Sequence, residues 1–321
     1  MNSVDNPAKG DVVMRRALLL ASITLLLLSA GCGGAPASSP ATEVLPAPTE
    51  TPAPVTVPTV MEVLPTPTPV PPPPTPTPIP VSGPTPAPDV TAAPTEEIEI
   101  PMVAIPAGEF TMGNDAGDDD EKPAHTVFVD AFEMDQFEVT NEQFQAFVEE
   151  SGYLTEAEQA GESFNWRAFA EAKPKHPVVL VTWNDAVAYC EWQGKRLPTE
   201  AEWEKAARGM EGFVYPWGNE WATEKANTEE SGCRGTTIVG SYPAGASPYG
   251  VMDMAGNVSE WTSDWYEAYP GSSFRSSYFG KKYRVIRGGG WFSEAHLVRT
   301  TERSASSVEL RNDDVGFRCV R

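Results

Sequence analysis

The chain has 321 residues, and its 45 acidic side chains outnumber its 23 lysines and arginines, which gives a formal net charge of -22. The excess persists after residues 1–97, since 37 acids then remain against 20 bases. A surface this negative repels phosphate backbones and anionic lipid headgroups, which argues against nucleic-acid binding and electrostatic membrane docking and favours cationic partners, including metal ions.

The N-terminus has the layout of an export signal. Two arginines precede an apolar run over residues 17–28, and small residues then lead to Cys32. The run is short for a membrane span of about 20 residues and is typical of a signal peptide. Small residues before a cysteine also resemble the lipobox of bacterial lipoproteins, although Ser29 stands where leucine is usual. We predict a signal peptide in residues 1–32 and a lipid on Cys32; the alternative is an ordinary secretory signal.

Residues 33–97 form the next segment and cannot bury a core. No aromatic residue, lysine or arginine occurs between Cys32 and Phe110, and proline and threonine recur in runs such as "TPTPVPPPPTPTPIP". Proline fixes φ and removes hydrogen-bond donors, so we predict a disordered, extended stalk over these residues. At about 3.1 Å per residue it could reach on the order of 200 Å. Its Thr-Pro repeats could carry O-linked sugars or be bare.

From residue 98 onward the composition changes to that of a globular domain. Alternating apolar residues predict strands over residues 102–113 and 125–140. Three helices are predicted from their start and stop signals: Thr140 to Gly152, Asn184 to Gly194, and Thr199 to Gly209. The rest is rich in Gly, Asn, Ser and Trp without a long period. Few helices, short strands and long connections indicate an α+β domain.

Five blocks of this domain, in this order, resemble the formylglycine-generating enzyme (sulfatase-modifying factor) family. They are "MVAIPAGEFTMGN", "HPVVLVTWNDAVAYCEWQGKRLPTEAEWEKAARG", "YPWGNE", "SPYGVMDMAGNVSEWTSDWY", and "RVIRGGGWFSEA" with "NDDVGFRCVR". They span residues 98–321, which makes the resemblance specific. It implies an irregular α+β domain related to the C-type lectin fold, low in regular secondary structure and stabilised by calcium.

The resemblance also implies an oxidase site, and here this chain departs from the family. Members oxidise a protein cysteine to formylglycine with molecular oxygen and a copper ion held by two cysteines, because soft sulfur suits Cu(I). Those cysteines follow an R-G-G-S element and lie five residues apart. Here the element begins at Arg287, and the two positions fall at Ser293 and about Val298. No cysteine occurs between Cys233 and Cys319, so we do not expect copper.

A substitute metal centre would need other ligands. The chain has three histidines, His125, His176 and His296, without a carboxylate at matched spacing. A facial-triad iron site needs two histidines and a carboxylate. We interpret the three as surface or capping residues.

The resemblance assigns two of the four cysteines to a disulfide. Cys190 in "AYCEW" and Cys319 in "GFRC" match positions that are joined in related enzymes. Export to an oxidising compartment favours the bond over two buried thiols. Cys233 is left single in a polar loop, where it would be a bystander or a reactive thiol.

Calcium is the metal that the resemblance implies. In "DMAGNVSEW" the family pattern places a side-chain oxygen at Asp253, carbonyls at Gly256 and Val258, and a carboxylate at Glu260. Hard oxygen ligands from one loop suit Ca²⁺. Without the family, the same residues would be a turn with an incidental pair of acids.

A second, weaker calcium site maps onto the preceding loop. It would use Asn227, the carbonyl of Thr228, Ser231 and the carbonyl of Cys233, and the family has an aspartate at the position of Ser231. The acidic run over residues 118–121 lacks the offsets of an EF-hand, so we predict a solvated loop there.

Two classes of function follow. The first is a non-catalytic or altered family member on a stalk that binds protein, peptide or glycan at the cell surface. The second is an enzyme, with residual formylglycine generation or another oxygen-dependent oxidation. A lectin is a third hypothesis that rests on fold kinship alone. The nine tryptophans would mostly form core, and some would line a peptide groove.

Overall fold

A computed structural model describes residues 100–321 of the chain. The predicted signal peptide, Cys32 and the stalk over residues 33–97 lie outside the described residues. None of the helices within residues 100–321 combines the length and the apolar content that a membrane crossing requires.

Eight strands form three sheets in the described part. They are β1 (Met102–Ile105), β2 (Gly108–Met112), β3 (His125–Val129), β4 (Phe132–Asp135), β5 (Ser259–Trp265), β6 (Tyr283–Arg287), β7 (Ser304–Ser307) and β8 (Val315–Gly316). β1 pairs with β4 and β2 with β3, both antiparallel. The third sheet has the order β7-β6-β5-β8, with β8 parallel to β5.

The two long strands predicted near the start of the domain are each divided in the structure. Pro106 lies between β1 and β2 and cannot donate to a ladder, so the chain leaves one sheet and enters the other at that point. A similar break after Val129 separates β3 from β4. The residue types of these strands were predicted correctly, but the break points were not.

The helices begin at capping boxes. They are α1 (Asn141–Ser151), α2 (Glu156–Gln159), α3 (Arg167–Ala170), α4 (Trp183–Trp192) and α5 (Glu200–Arg208). The boxes predicted at Thr140 and Thr199 are present. α4 begins before the predicted residue, because Thr182 forms its own box with Asp185. The short helices α2 and α3 were not predicted.

The four-stranded sheet lies in the part of the sequence that shows no apolar period. Its strand β5 has the sequence SEWTSDW, and both Glu260 and Thr262 are fully buried in it. Because both faces of this strand are covered, the polar and apolar residues do not alternate as they do in a half-exposed strand.

Two main hydrophobic clusters surround the sheets. One contains Phe144 and Phe147 of α1, Tyr189 of α4, and the disulfide. The other contains Trp203 of α5 and the apolar residues of β1 to β4. Fold class α+β is confirmed, and the large aromatic side chains provide the burial that short strands cannot.

Candidate functional site

The loop that carries the two altered cysteine positions begins where β6 ends. Arg287 closes β6 and is 1% exposed. Its guanidinium donates to the carbonyls of Thr300, Thr301 and Glu302 at 2.6–3.0 Å and pairs with the carboxylate of Glu204. The segment after the loop is thereby held against the segment before it, so residues 288–298 form a closed loop with fixed ends.

The side chains of Ser293 and Val298 meet at Gly289. A Cβ on Gly289 would lie 3.0 Å from Ser293 Oγ and 2.8 Å from Val298 Cγ1. Gly289 has a φ of +67°, which together with this crowding requires glycine. Both predicted positions thus lie close to Gly289.

Neither side chain of this pair offers a soft metal ligand. Ser293 Oγ accepts a hydrogen bond from the amide of Gly290 at 3.0 Å. Val298 is fully buried against Tyr215, Ala226 and Ala255. A hydroxyl engaged by the backbone and an isopropyl group cannot hold Cu(I) in a thiolate site.

The three histidines do not assemble a substitute centre. His125 Nδ1 lies 2.9 Å from the carbonyl of Pro123, and His176 Nδ1 lies 3.1 Å from Thr236 Oγ1. His296, in the altered loop, is 60% exposed and 3.4 Å from Glu294. The three imidazole rings thus have different neighbours in the fold.

Next to the altered loop lies a buried acid that the sequence did not single out. Asp314 packs directly on Gly290, where a Cβ would lie 2.8 Å from Asp314 Oδ2. The serine of the family's R-G-G-S element therefore cannot stand here unless Asp314 moves. Burial, and then the charge of Asp313, raise the pKa of Asp314 to about 7. Asp314 Oδ1 has no hydrogen-bond partner among the described residues.

The first predicted calcium loop is buried, and its two acids have different partners. Asp253 has a φ of +58° and accepts the amide of Gly240 on Oδ2 at 2.6 Å. Both oxygens of Glu260 accept from Arg318 at 2.7 Å, and one of them also accepts from Trp203 Nε1 at 2.9 Å. Glu260 thus accepts more hydrogen bonds than the sequence suggested.

The two backbone positions of that loop are also engaged in the fold. The amide of Gly256 donates to the carbonyl of Gly288, and Val258 is fully buried beside Val179 and Leu180. Their own carbonyls, which the resemblance offers as ligands, remain predictions.

A third carboxylate, missed in the sequence, joins this loop from a distant part of the chain. Glu138 lies between β4 and α1 and is 1% exposed. Its Oε1 accepts from Asn257 Nδ2 at 3.0 Å, and its carboxyl group shares a side-chain hydrogen bond with Asp253. Burial, and then the charge of Asp253, raise the pKa of Glu138 well above its usual range. A buried pair of carboxyl groups fits a cation site, and calcium stays a prediction for it.

The second predicted calcium loop holds itself together by hydrogen bonds. Ser231 Oγ lies 3.1 Å from Asn227 Oδ1 and 2.8 Å from the carbonyl of Thr228. Asn227 Nδ2 donates to Asn257 Oδ1 at 3.1 Å, which links this loop to the first. The serine thus occupies oxygens that an ion would need.

The acidic run over residues 118–121 is a solvated loop only in its first half. Asp119 is exposed, whereas Asp120 and Glu121 are buried, which the prediction missed. Tyr266 donates to Asp120 at 2.7 Å, and Glu121 pairs with Arg299 at 2.6 Å. Asp118, Glu121 and Glu302 approach one another closely enough to hold an ion, but the guanidinium of Arg299 already lies among them. The second half is buried because side chains from far along the sequence reach it.

The cysteines follow the resemblance in one case and depart from the prediction in the other. Cys190 and Cys319 form a disulfide, as the resemblance implied. Cys233 is not isolated in its polar loop, because its Sγ lies 3.9 Å from Tyr242 Oη.

Six of the nine tryptophans are only partly buried, and three are fully buried. The fully buried ones are Trp166, Trp203 and Trp261. Trp217 and Trp221 form an aromatic group with Tyr215, which stacks on Trp217 at 5.3 Å, beside Val298. The prediction that most tryptophans are core holds for these three, and the aromatic group lies next to the altered loop.

Similarity to known proteins agrees with this geometry. A sequence model described as "Sulfatase-modifying factor enzyme 1-like domain" matches residues 87–321. The chain is 38% identical over 278 residues to a bovine formylglycine-generating enzyme, covering 68% of this chain and 74% of that protein. It is 37% identical over 272 residues to a mouse protein named inactive C-alpha-formylglycine-generating enzyme 2, covering 68% and 85%.

A solved structure is similar as well. PvdO from Pseudomonas aeruginosa superposes with a TM-score of 0.56 at 28% identity, covering 68% of this chain and 93% of that one. Because the family model matches more than half of the chain and the relatives exceed 30% identity, the chain belongs to the sulfatase-modifying factor (formylglycine-generating enzyme) family.

Proposed function

We propose that this chain is a family member without the copper oxidase, and that it works as an exported binding module. The observation that carries the proposal is the meeting of Ser293 and Val298 at Gly289. Both positions lie beside this one glycine, but their side chains are a hydroxyl and an isopropyl group. A relative named as inactive among the similar proteins is in keeping with this proposal.

The binding surface would lie at the altered loop. Trp217 and Trp221, half-buried beside Val298, offer aromatic faces to a protein, peptide or glycan. Lys225 Nζ lies 5.9 Å from the centre of the Trp217 ring, which adds a polar edge. Aromatic groups with one apolar face and one polar edge are common in binding surfaces.

Calcium would stabilise the module from its interior. Asp253, Glu260 and the carbonyls of Gly256 and Val258 would supply hard oxygens, with the buried carboxylate of Glu138 beside Asp253. The ion would supply charge neutralisation inside the fold and no redox chemistry. Nothing in the proposed binding depends on a reaction at the metal.

Export and anchoring complete the proposal. The disulfide of Cys190 and Cys319 fits an oxidising compartment. The N-terminal peptide of the mature protein should carry a lipid on Cys32. Mass spectrometry of that peptide tests the anchor, and an N-terminal peptide without a lipid would contradict it.

The loss of the oxidase is tested by comparing the native chain with a variant that regains two thiols. The native chain should neither bind Cu(I) tightly nor convert a C-x-P-x-R peptide to formylglycine. Ser293→Cys/Val298→Cys should gain Cu(I) binding, because both side chains meet at Gly289. The measurements are Cu(I) titration, dioxygen consumption and peptide mass spectrometry.

The opposing result is formylglycine in the peptide incubated with the native chain, together with consumption of dioxygen. That result would establish the alternative function, an oxidoreductase with a rebuilt site. A double-cysteine variant that binds no copper would show that more than the two ligands has changed.

A further inference from the structure

The connection between β5 and β6 is basic, although the domain that contains it is acidic. Residues 98–321 hold 37 acids and 20 bases, yet no acid occurs between Glu267 and Glu294. Within this connection three basic side chains are exposed next to two tyrosines that are exposed or half-buried. We name this group the basic patch, and it consists of Arg275, Tyr278, Lys281, Lys282 and Tyr283.

The basic side chains of the patch are not neutralised within the described part of the chain. Lys281 and Lys282 form no ion pair there. Glu267, the acid that precedes the patch, accepts the amides of Gly280 and Lys281 on Oε1 at 2.8 and 3.0 Å, so the backbone engages it. Arg275 donates to two carbonyls of its own loop and stays exposed. The patch therefore presents positive charge to solvent.

Lys281 has a backbone conformation that a lysine rarely adopts. Its φ of +58° lies in the left-handed region, which glycine occupies without a steric cost. Strained residues occur preferentially at functional sites, where a requirement other than local stability keeps them. Because the ammonium of Lys281 is exposed and serves no ion pair within residues 100–321, a ligand outside the chain is such a requirement.

Aromatic rings fix the loop and give the patch an apolar face. Tyr278 packs edge-to-face on Tyr283 with ring centres 4.9 Å apart, and 38% of Tyr278 is exposed. Phe279 packs on Tyr266 and on Phe274, with ring centres 5.5 and 5.7 Å apart. A loop that is already ordered loses little conformational freedom on binding. Its exposed tyrosine offers an apolar ring beside a hydroxyl.

A linear polyanion fits the patch better than an extended anionic surface does. A bilayer or a nucleic-acid duplex would also lie against the acidic remainder of the domain, which repels it. A single chain contacts the patch alone, and at physiological salt exposed charges beyond about 8 Å are largely screened. An acidic polysaccharide combines the two chemistries of the patch, because the C–H face of a sugar packs on an aromatic ring and its anionic groups pair with ammonium groups.

We propose that the basic patch binds a linear acidic polysaccharide, with Lys281 and Lys282 paired to its anionic groups and Tyr278 packed on a sugar ring. The patch precedes β6 and the altered loop follows it, so the strand separates them by about 13 Å at about 3.3 Å per residue. The basic patch is thus a second binding surface. It depends neither on the loss of the oxidase nor on calcium, so its failure would leave the proposed function standing.

The test measures the Kd of a hyaluronate decasaccharide for the native full-length chain by titration calorimetry, at low and at physiological ionic strength. The carboxyl-reduced decasaccharide is the neutral control ligand. The variants are Lys281→Gly/Lys282→Gln, which removes both ammonium groups, and Tyr278→Ser, which leaves the charge unchanged. Lys175→Gln is the matched control, because Lys175 is exposed and lies outside the patch. Thermal unfolding checks the fold of each variant.

The native chain should bind the acidic decasaccharide and not the reduced one, and more weakly at the higher ionic strength. Lys281→Gly/Lys282→Gln should raise Kd by roughly 5- to 25-fold, the product of two exposed ion pairs. Its Tm should not fall, because glycine adopts the φ of residue 281 without strain. Tyr278→Ser should raise Kd by about 2- to 10-fold through the lost ring contact. Lys175→Gln should keep Kd within about twofold, since its charge is screened from the patch.

Three results would overturn the proposal. The first is a native chain that binds no decasaccharide, or that binds the reduced form equally well. The second is a rise in Kd for Lys175→Gln as large as that for the double variant, which would show attraction to positive charge anywhere on the domain. The third is equal affinity for polyglutamate together with an unchanged Kd for Tyr278→Ser, which would make the patch a surface for acidic peptides. Phosphatidylglycerol vesicles that bind when the decasaccharide does not would identify a membrane contact instead.

Discussion

Two buried charge clusters of this domain differ in their balance. In the balanced cluster each carboxylate has guanidinium partners, and its members are Glu200, Glu204, Arg208, Arg287 and Arg303. The acid-rich cluster has three carboxylates and one guanidinium, namely Glu138, Asp253, Glu260 and Arg318. Both are buried in the same fold.

The difference shows what each cluster is for. In the balanced cluster every charge has an opposite partner, and Arg287 also ties the ends of the altered loop together. The carboxylates of that cluster therefore need no ion from solution. In the acid-rich cluster the guanidinium satisfies one carboxylate, and the other two, Glu138 and Asp253, share a hydrogen bond with each other. A cation from solution would complete it.

The largest expected effect comes from removing the guanidinium of either cluster. Arg287→Met and Arg318→Met should each lower the free energy of unfolding by about 3 to 5 kcal/mol, because each removes one partner of a buried ion pair and the donor to three backbone carbonyls. The two arginines are matched, since each is at most 1% exposed and donates to three backbone carbonyls. Urea denaturation measures both.

Calcium should separate these two variants. Millimolar calcium should restore part of the stability of Arg318→Met, because the ion can compensate the carboxylates left behind. Calcium should raise the free energy of unfolding of Arg287→Met by no more than it raises that of the native chain. Equal rescue of both variants would contradict the distinction between the clusters. If Arg318→Met does not fold, Arg318→Gln removes the charge but keeps hydrogen-bond donors, and it permits the same comparison.

A second prediction concerns Asp314, a buried acid with no cation beside it. Its pKa of about 7 in the folded chain exceeds the ordinary value of 3.8, so the native state binds more protons than the unfolded state between these values. Stability should therefore fall as pH rises from about 4 to 7, by up to about 1.4 kcal/mol per pH unit.

Asp314→Asn should remove that slope. The measurement is the free energy of unfolding of both proteins at several pH values, and the difference between them isolates this group from the other acids. Asp313→Asn is the matched control, because it removes the like charge beside Asp314 and should reduce the slope without abolishing it. Parallel pH profiles for the native chain and Asp314→Asn would contradict the prediction.

The smallest effect is expected in the second calcium loop. Ser231→Asp restores the carboxylate of the family pattern and removes the hydroxyl near Asn227 Oδ1. It should add a second calcium equivalent and stabilise the chain by about 1.4 kcal/mol when calcium is at a tenfold excess over Kd. Calorimetric stoichiometry measures it, with Ser231→Asn as the uncharged control. An unchanged stoichiometry would show that this loop cannot open for an ion.

Several features were predictable because they depend on neighbours in the chain. The capping boxes at Thr140 and Thr199 begin helices where they were predicted, since a cap joins residues three apart. The replacement of the two cysteines by Ser293 and Val298 is visible in the sequence itself. Family membership also follows from blocks that are continuous in the sequence.

Other features were decided by the tertiary structure. β5 was not predicted from the sequence, because both of its faces are covered and its buried residues include polar ones. Asp120 and Glu121 are buried by Tyr266, Arg299 and other residues from the far end of the domain. Cys233 was predicted to be single in a polar loop, yet Tyr242 Oη lies 3.9 Å from its Sγ.

By itself, the sequence determined the family, the α+β class, the starts of α1 and α5 and the absence of the thiol pair, because each depends on residue identity or on contacts within one turn of the chain. Only the tertiary structure decided which charges are compensated. Glu138 and Asp253 are 115 residues apart, and Glu260 is paired with Arg318 instead of being open. The energy of a buried charge depends on all the groups around it in space, and the spacing of residues in the sequence does not show which groups those are.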